Sequence, residues 1–137
     1  NFTPKIDFET NATLMPDERW VRLYNAAFTT SPKLTTNGDP EAKTYKPEVL
    51  KYHKEIGSGF KFVINDPAAD INEIWRKYVE DEEGINLDLD RIWFMPCAGS
   101  REEHIANAEA VVEYAKSMHV HFSPRLHLLV WDKALKV

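Results

Sequence analysis

"GFKFVINDPAADINEIW", residues Gly59 to Trp75, decides the fold. Its first eight residues, Gly59 to Asp66, are rich in aromatic and β-branched side chains and close on Asn-Asp, the pattern of a strand running into a turn. Behind Pro67 the period changes. Ile71, Ile74, Trp75 and Tyr78 recur at helical spacing as one apolar face, and Asp70 with Glu73 makes an Asp-x-x-Glu relative of the capping box, expected to cap that helix. A strand passing directly into an amphipathic helix is one β–α unit.

The same alternation extends to both sides. Upstream, "KIDFE" (Lys5 to Glu9) reads as a strand and "DERWVRLYN" (Asp17 to Asn25) as a short helix with Trp20, Val21, Leu23 and Tyr24 available for packing. "AAFTTS" (Ala26 to Ser31) is a second strand, followed by a loop rich in Thr, Asn, Gly and Pro and a helix over "PEVLKYHKEI" (Pro47 to Ile56). Downstream, "RIWFMP" (Arg91 to Pro96) is a fourth strand. Ser100 and Glu103 form the Ser-x-x-Glu box of a long helix whose apolar positions are Ile105, Ala108, Val112 and Ala115. "VHFS" (Val120 to Ser123) is a last short strand, and "RLHLLVW" supplies one or two helical turns. Strand–helix alternation without tight hairpins predicts a single α/β domain, residues 1–137, with a mostly parallel sheet and right-handed crossovers.

Bulk properties bound the function. A chain of 137 residues can bury roughly two-thirds of its unfolded surface. It carries 43% hydrophobic residues, and no apolar run approaches the ~18 residues of a membrane span, so a membrane partner is not expected. The net charge of -5 offers no broad positive field for nucleic acid. The single Cys97 excludes an internal disulfide, and no segment resembles a signal peptide, which points to the cytoplasm. Asn1-Phe2-Thr3 and Asn11-Ala12-Thr13 are glycosylation acceptors only in a secreted chain.

In a parallel α/β sheet, ligands sit beyond the carboxyl ends of the strands. Those ends read Glu9-Thr10-Asn11, Ser31-Pro32-Lys33, Asn65-Asp66 and Met95-Pro96-Cys97-Ala98-Gly99, a polar set on one rim. Ordinary loop chemistry accounts for any one of these, and their coincidence at several ends is the stronger signal. The other constellations are thinner. Cys97 with His104 or His127 lacks the third group of a thiol enzyme, and His119-x-His121 lacks a third metal ligand. "EDEEG" (Glu80 to Gly84) reads as a solvated helix exit; Trp20, Trp75 and Trp93 fit core spacing, and Trp131 fits either the core or a partner subunit.

Taken in order, "IDFETNATLMP", "FTTSPKL", "FKFVIND", "IWFMPCAG" and "FSPRLHLLVW" resemble the later part of 7-carboxy-7-deazaguanine synthase, over nearly the whole chain. That family is a radical S-adenosylmethionine (SAM) lyase of the deazaguanine pathway leading to queuosine. It converts 6-carboxy-5,6,7,8-tetrahydropterin into 7-carboxy-7-deazaguanine with a [4Fe–4S] cluster, SAM and magnesium. The resemblance implies the C-terminal part of a partial β/α barrel. It also implies SAM contacts at Ser31, Pro32 and Lys33, at Met95, Pro96, Cys97 and Ala98, and near Glu9, Thr10 and Asn11. Met95 stands where the family has a polar residue, and Asn11 and Ala12 depart from its Glu-Thr-x-Gly pattern. Arg125, His127 and the carboxylate of Val137 match the pterin-facing terminus. A homodimer is a further implication.

The Cys-x3-Cys-x2-Cys and Gly-Gly-Glu-Pro segments of that family are absent, and one cysteine cannot supply three iron ligands. Cluster and magnesium ligands are therefore missing from this chain, which alone is expected to be inactive and reads as one part of a longer enzyme. The early strand agrees, since an upstream neighbour would cover its edge. A free-standing α/β binding or interaction module is the alternative.

Overall fold

The computed structural model describes residues 6–24, 26–80 and 84–133. Five strands, β1 (Asp7–Thr10), β2 (Ala27–Thr30), β3 (Gly59–Ile64), β4 (Ile92–Pro96) and β5 (His121–Phe122), form one sheet in the order β1-β2-β3-β4-β5. Every neighbouring pair is parallel. Helix α1 (Glu18–Tyr24) follows β1, α2 (Glu41–Thr44) and α3 (Pro47–Glu55) follow β2, α4 (Pro67–Ile74) follows β3, α5 (Arg101–Ser117) follows β4 and α6 (Leu126–Trp131) follows β5. The α/β class with a parallel sheet is thus as the sequence predicts.

Strand order matters more than strand number here. Each connection steps to the next position in the same direction, so right-handed crossovers bring the helices to one face of the sheet. A doubly wound sheet reverses its order at a switch point, whereas this one follows the sequential order of a β/α barrel and forms a partial β/α fold. One face is therefore covered by helices and the other is open.

Burial follows that division residue by residue. Phe60, Phe62 and Ile64 of β3 and Ile92 and Phe94 of β4 are at most 1% exposed, while Gly59, Lys61, Val63, Trp93 and Met95 are half-buried. The register pairs like with like, Phe62 beside Phe94, Lys61 beside Trp93 and Val63 beside Met95. On the covered side the aromatic row packs with Leu50 of α3, Ile71 and Ile74 of α4, and Val111 and Ala115 of α5 in one hydrophobic cluster. Tyr78 meets Phe62 edge-on at 4.9 Å. Each buried Phe contributes about 2–3 kcal/mol from its apolar area.

Several local expectations are corrected. The cap of α4 is Asp66, whose Oδ1 accepts from the N–H groups of Ala68 and Ala69. Pro67 sits at the first helical position, where its missing N–H costs nothing, and this places the cap one residue before it. Asp70 lies inside the helix and is fully buried. At α5 the Ser100 hydroxyl accepts from the Glu103 N–H at 3.2 Å as expected, but the Glu103 carboxylate takes the Gly99 N–H instead of closing the box on Ser100. The buried stripe of α5 is His104, Val111 and Ala115, while Ile105 is 60% exposed. Trp20 is 40% exposed and meets Phe8 edge to face with ring centroids 5.5 Å apart. His119 has φ 55° in the turn after α5, so it does not share a strand face with His121. The acidic residues 81–83 lie outside the described residues.

Candidate functional site at the open face and carboxyl rim

All five strands end on the same edge, and the ladder runs one residue further between neighbours. The Ser31 N–H donates to Thr10 O at 2.6 Å, Cys97 N–H to Ile64 O at 2.8 Å and Ser123 N–H to Phe94 O at 2.8 Å. These bonds extend the β1–β2, β3–β4 and β4–β5 pairs, while the end of β2 at Thr30 lies level with Phe60, four residues before the end of β3 at Ile64.

The loop after β2 is held by α4. Alternating burial continues past the strand, with Pro32 and Leu34 buried and Ser31 and Lys33 half-buried. Thr35 donates its N–H and its hydroxyl to the two oxygens of Glu73, each at 3.0 Å, and the Thr36 hydroxyl donates to Asp70 Oδ1 at 2.6 Å. Asp70 Oδ2 accepts from the N–H groups of Asn65 at 2.7 Å and Asp66 at 2.9 Å. Spaced three apart, Asp70 and Glu73 share one side of α4 and tie the Ser-Pro-Lys loop to the end of β3. Lys33 has no carboxylate partner among the described residues. The rim therefore presents a half-buried cation on a fixed loop.

At the end of β1, Thr10 Oγ1 accepts from Ala12 N–H, and the exposed Asn11 closes a local turn by accepting from the Thr13 hydroxyl at 2.8 Å. Ala12 is fully buried at φ 56°, the left-handed region in which glycine is unstrained. Glu9 lies one position back on the open face.

The segment after β4 presents backbone and apolar surface. Met95 is on the open face, Pro96 is buried on the helix side, and Cys97 is half-buried with its carbonyl accepting from Asn107 Nδ2 at 2.8 Å. The carbonyl of the buried Ala98 accepts from Arg125 Nη1 at 2.9 Å. Arg125 thereby clamps the β5–α6 loop to the β4–α5 loop, and His104, 2% exposed, lies within their electrostatic reach. Burial first, and then the neighbouring Arg125 and His127, push the His104 imidazole below its ordinary 6.5. The structure thus brings Arg125 and the exposed His127 to one corner, while Val137 lies outside the described residues.

The floor of the open face was missed by attention to strand ends alone. Lys61, in the interior of β3, pairs with Glu9, its side chain 20% exposed against 62% for the glutamate. Beside it Trp93 stacks on His121 with centroids 4.7 Å apart at 20°, and His121 Nε2 lies 2.9 Å from Asp90 O. Gly59 makes room for this wall, since a Cβ there would stand 2.9 Å from the Trp93 ring. A lysine between Phe60 and Phe62 is the signal that finds this site, because alternation sends it to the opposite face.

Among the described residues no group of three His, Cys, Asp or Glu side chains is placed to hold a metal ion. No protein-family model matches the chain, and no solved structure matches it. Among curated proteins the chain is similar to a 7-carboxy-7-deazaguanine synthase of Pyrobaculum aerophilum, 28% identical over 132 residues that take in 94% of this chain and 53% of that protein. The chain spans about half the length of this relative, and the likeness is that of a distant relationship. No helix among the described residues is long and apolar enough to cross a membrane.

Proposed function

We propose that this chain is the SAM- and substrate-facing C-terminal part of a cytoplasmic 7-carboxy-7-deazaguanine synthase, a radical SAM lyase acting on 6-carboxy-5,6,7,8-tetrahydropterin. One observation carries it: the segments that resemble that family in order are the ones that follow successive strands of a sequential parallel sheet onto one rim. The likeness to the Pyrobaculum aerophilum enzyme over 94% of this chain supports the same reading.

In this reading SAM, when bound, supplies the radical that starts the reaction, and the chain's part is to bind and orient. Lys33 pairs with a carboxylate and Ser31 with a hydroxyl, on a loop already fixed by Asp70 and Glu73. Met95, Pro96, Cys97 and Ala98 offer the adenine an apolar edge, and Glu9, Thr10 and Asn11 close the side toward β1. Arg125 and His127 face the pterin. The residues present do not fit an iron–sulfur cluster, since one cysteine cannot supply its three iron ligands. In this reading the cluster and the magnesium ion are held by the remainder of the enzyme.

The test is the mass and iron content of the protein made from its native gene, together with calorimetric titration of SAM. Roughly four irons per chain after anaerobic reconstitution, and a Lys33→Ala variant that binds SAM about tenfold more weakly with unchanged circular dichroism, are expected. A native chain of this length without iron, or SAM affinity indifferent to Lys33, overturns the proposal.

A further inference from the structure

We propose that Lys61 is a carboxylate-binding residue of the open face, taking the carboxylate of a flat heterocycle that lies against Trp93. The inference rests on the function proposed above and adds a residue and a contact to it. A lysine inside a strand adds nothing to the core, which lies on the other face. Its ammonium has three donors, and among the described residues its one partner is Glu9. That carboxylate is 62% exposed, so the counterion is solvated on its far side and can be displaced.

The surroundings define the shape of the guest. Trp93 and His121 stand as a stacked wall on the same rung as Lys61, held by the Gly59 gap and by the approach of His121 to Asp90 O. Above them Val63 and Met95 form an apolar shelf toward the rim. A cation with free donors beside an aromatic wall and an apolar shelf suits a planar ring bearing a carboxylate. Of the molecules of the proposed reaction the pterin carries its carboxyl on such a ring, whereas the carboxylate of SAM lies on its flexible amino-acid end.

The experiment titrates the protein made from its native gene with pterin-6-carboxylate, with pterin and with SAM, following tryptophan fluorescence and heat, for the wild type and for Lys61→Met and Glu9→Gln. Pterin-6-carboxylate is expected to bind at least tenfold tighter than pterin, Lys61→Met to abolish that preference, and Glu9→Gln to strengthen carboxylate binding about threefold by removing the competitor. A tenfold loss confined to SAM in Lys61→Met, with the preference for pterin-6-carboxylate intact, overturns the proposal and gives Lys61 to the cofactor instead. The proposal falls if the preference survives Lys61→Met, if Glu9→Gln weakens binding, or if the folded wild type binds no carboxylate probe. SAM affinity that depends on Lys33 while every carboxylate probe ignores Lys61 sinks this inference alone. Should Lys61→Met fail to fold, Glu9→Gln decides, since Glu9 is exposed and its change leaves Lys61 in place.

Discussion

On the side toward the helices, β3 and β4 show Phe60, Phe62, Ile64, Ile92 and Phe94, each at most 1% exposed. One residue along, the same strands show Lys61, Val63, Trp93 and Met95 to the opposite face, which no helix among the described residues is placed to cover. Both sets share the same backbone bonds, so the hydrogen-bond ladder contributes equally to each. The difference lies in what the side chains meet: on one side other side chains at core density, on the other an open surface with a charge pair and an aromatic wall. In the proposed reading stability and ligand chemistry are thereby separated by a single residue step, and substitutions on the two faces are expected to report on different properties.

The largest effect should come from the covered face. Phe62→Ala is expected to lower unfolding stability by about 3–5 kcal/mol in urea titrations, and Val63→Ala by under about 1 kcal/mol. Equal losses would mean that the open face is packed as tightly as the covered one, and the comparison would fail. Asp70→Ala should follow at about 2–3 kcal/mol, because two backbone N–H groups and the Thr36 hydroxyl lose their acceptor. That variant should also weaken SAM binding while Lys33 itself is intact; unaltered SAM affinity in a folded Asp70→Ala protein would show that the loop holds its shape without α4.

The smallest expected effect is a pH dependence. His53 is fully buried with Nδ1 3.0 Å from Ser58 Oγ, and burial holds its imidazole below the ordinary 6.5. His104 is depressed in the same direction, by burial and then by Arg125 and His127. As pH falls through 6.5 the unfolded chain takes up these two protons before the folded chain does. The histidine contribution is therefore fully present above 6.5 and is lost progressively below it. Thermal melts between pH 8 and 5 check this, and His104→Gln should flatten the acid slope; a melting temperature that rises toward pH 5 would contradict it.

The sequence carried the strands well because each is an apolar run ended by Pro, Asn, Asp or Ser, and β3 and β4 form within a residue or two of their expected bounds. It carried helix starts less well. Asp66 and Asp70 both precede the periodic run, and only the preference of proline for the first helical position distinguishes them. Along α5 the stripe through Ile105 and the stripe through His104 differ by one residue, and periodicity alone favours the more hydrophobic one, whereas the packed one contains the histidine. Of the site, the rim segments were legible because they are strand ends. Lys61 was not, since its role depends on which face the helices cover, and that is set by strand order.

The loop that carries Lys33 has one further consequence. It is already fastened: the buried Leu34 donates its N–H to Asn37 Oδ1, Thr35 donates its N–H to Glu73, and Thr36 donates its hydroxyl to Asp70. Ligand capture there immobilises the rotamers of one side chain, about 0.5–1.5 kcal/mol, and spares the larger loss of freedom that an unfastened loop would incur. If Lys33 takes the cofactor as proposed, affinity at this corner is set in advance by α4, and Thr36→Val, which cuts one tether, should raise the entropic cost of binding at unchanged enthalpy.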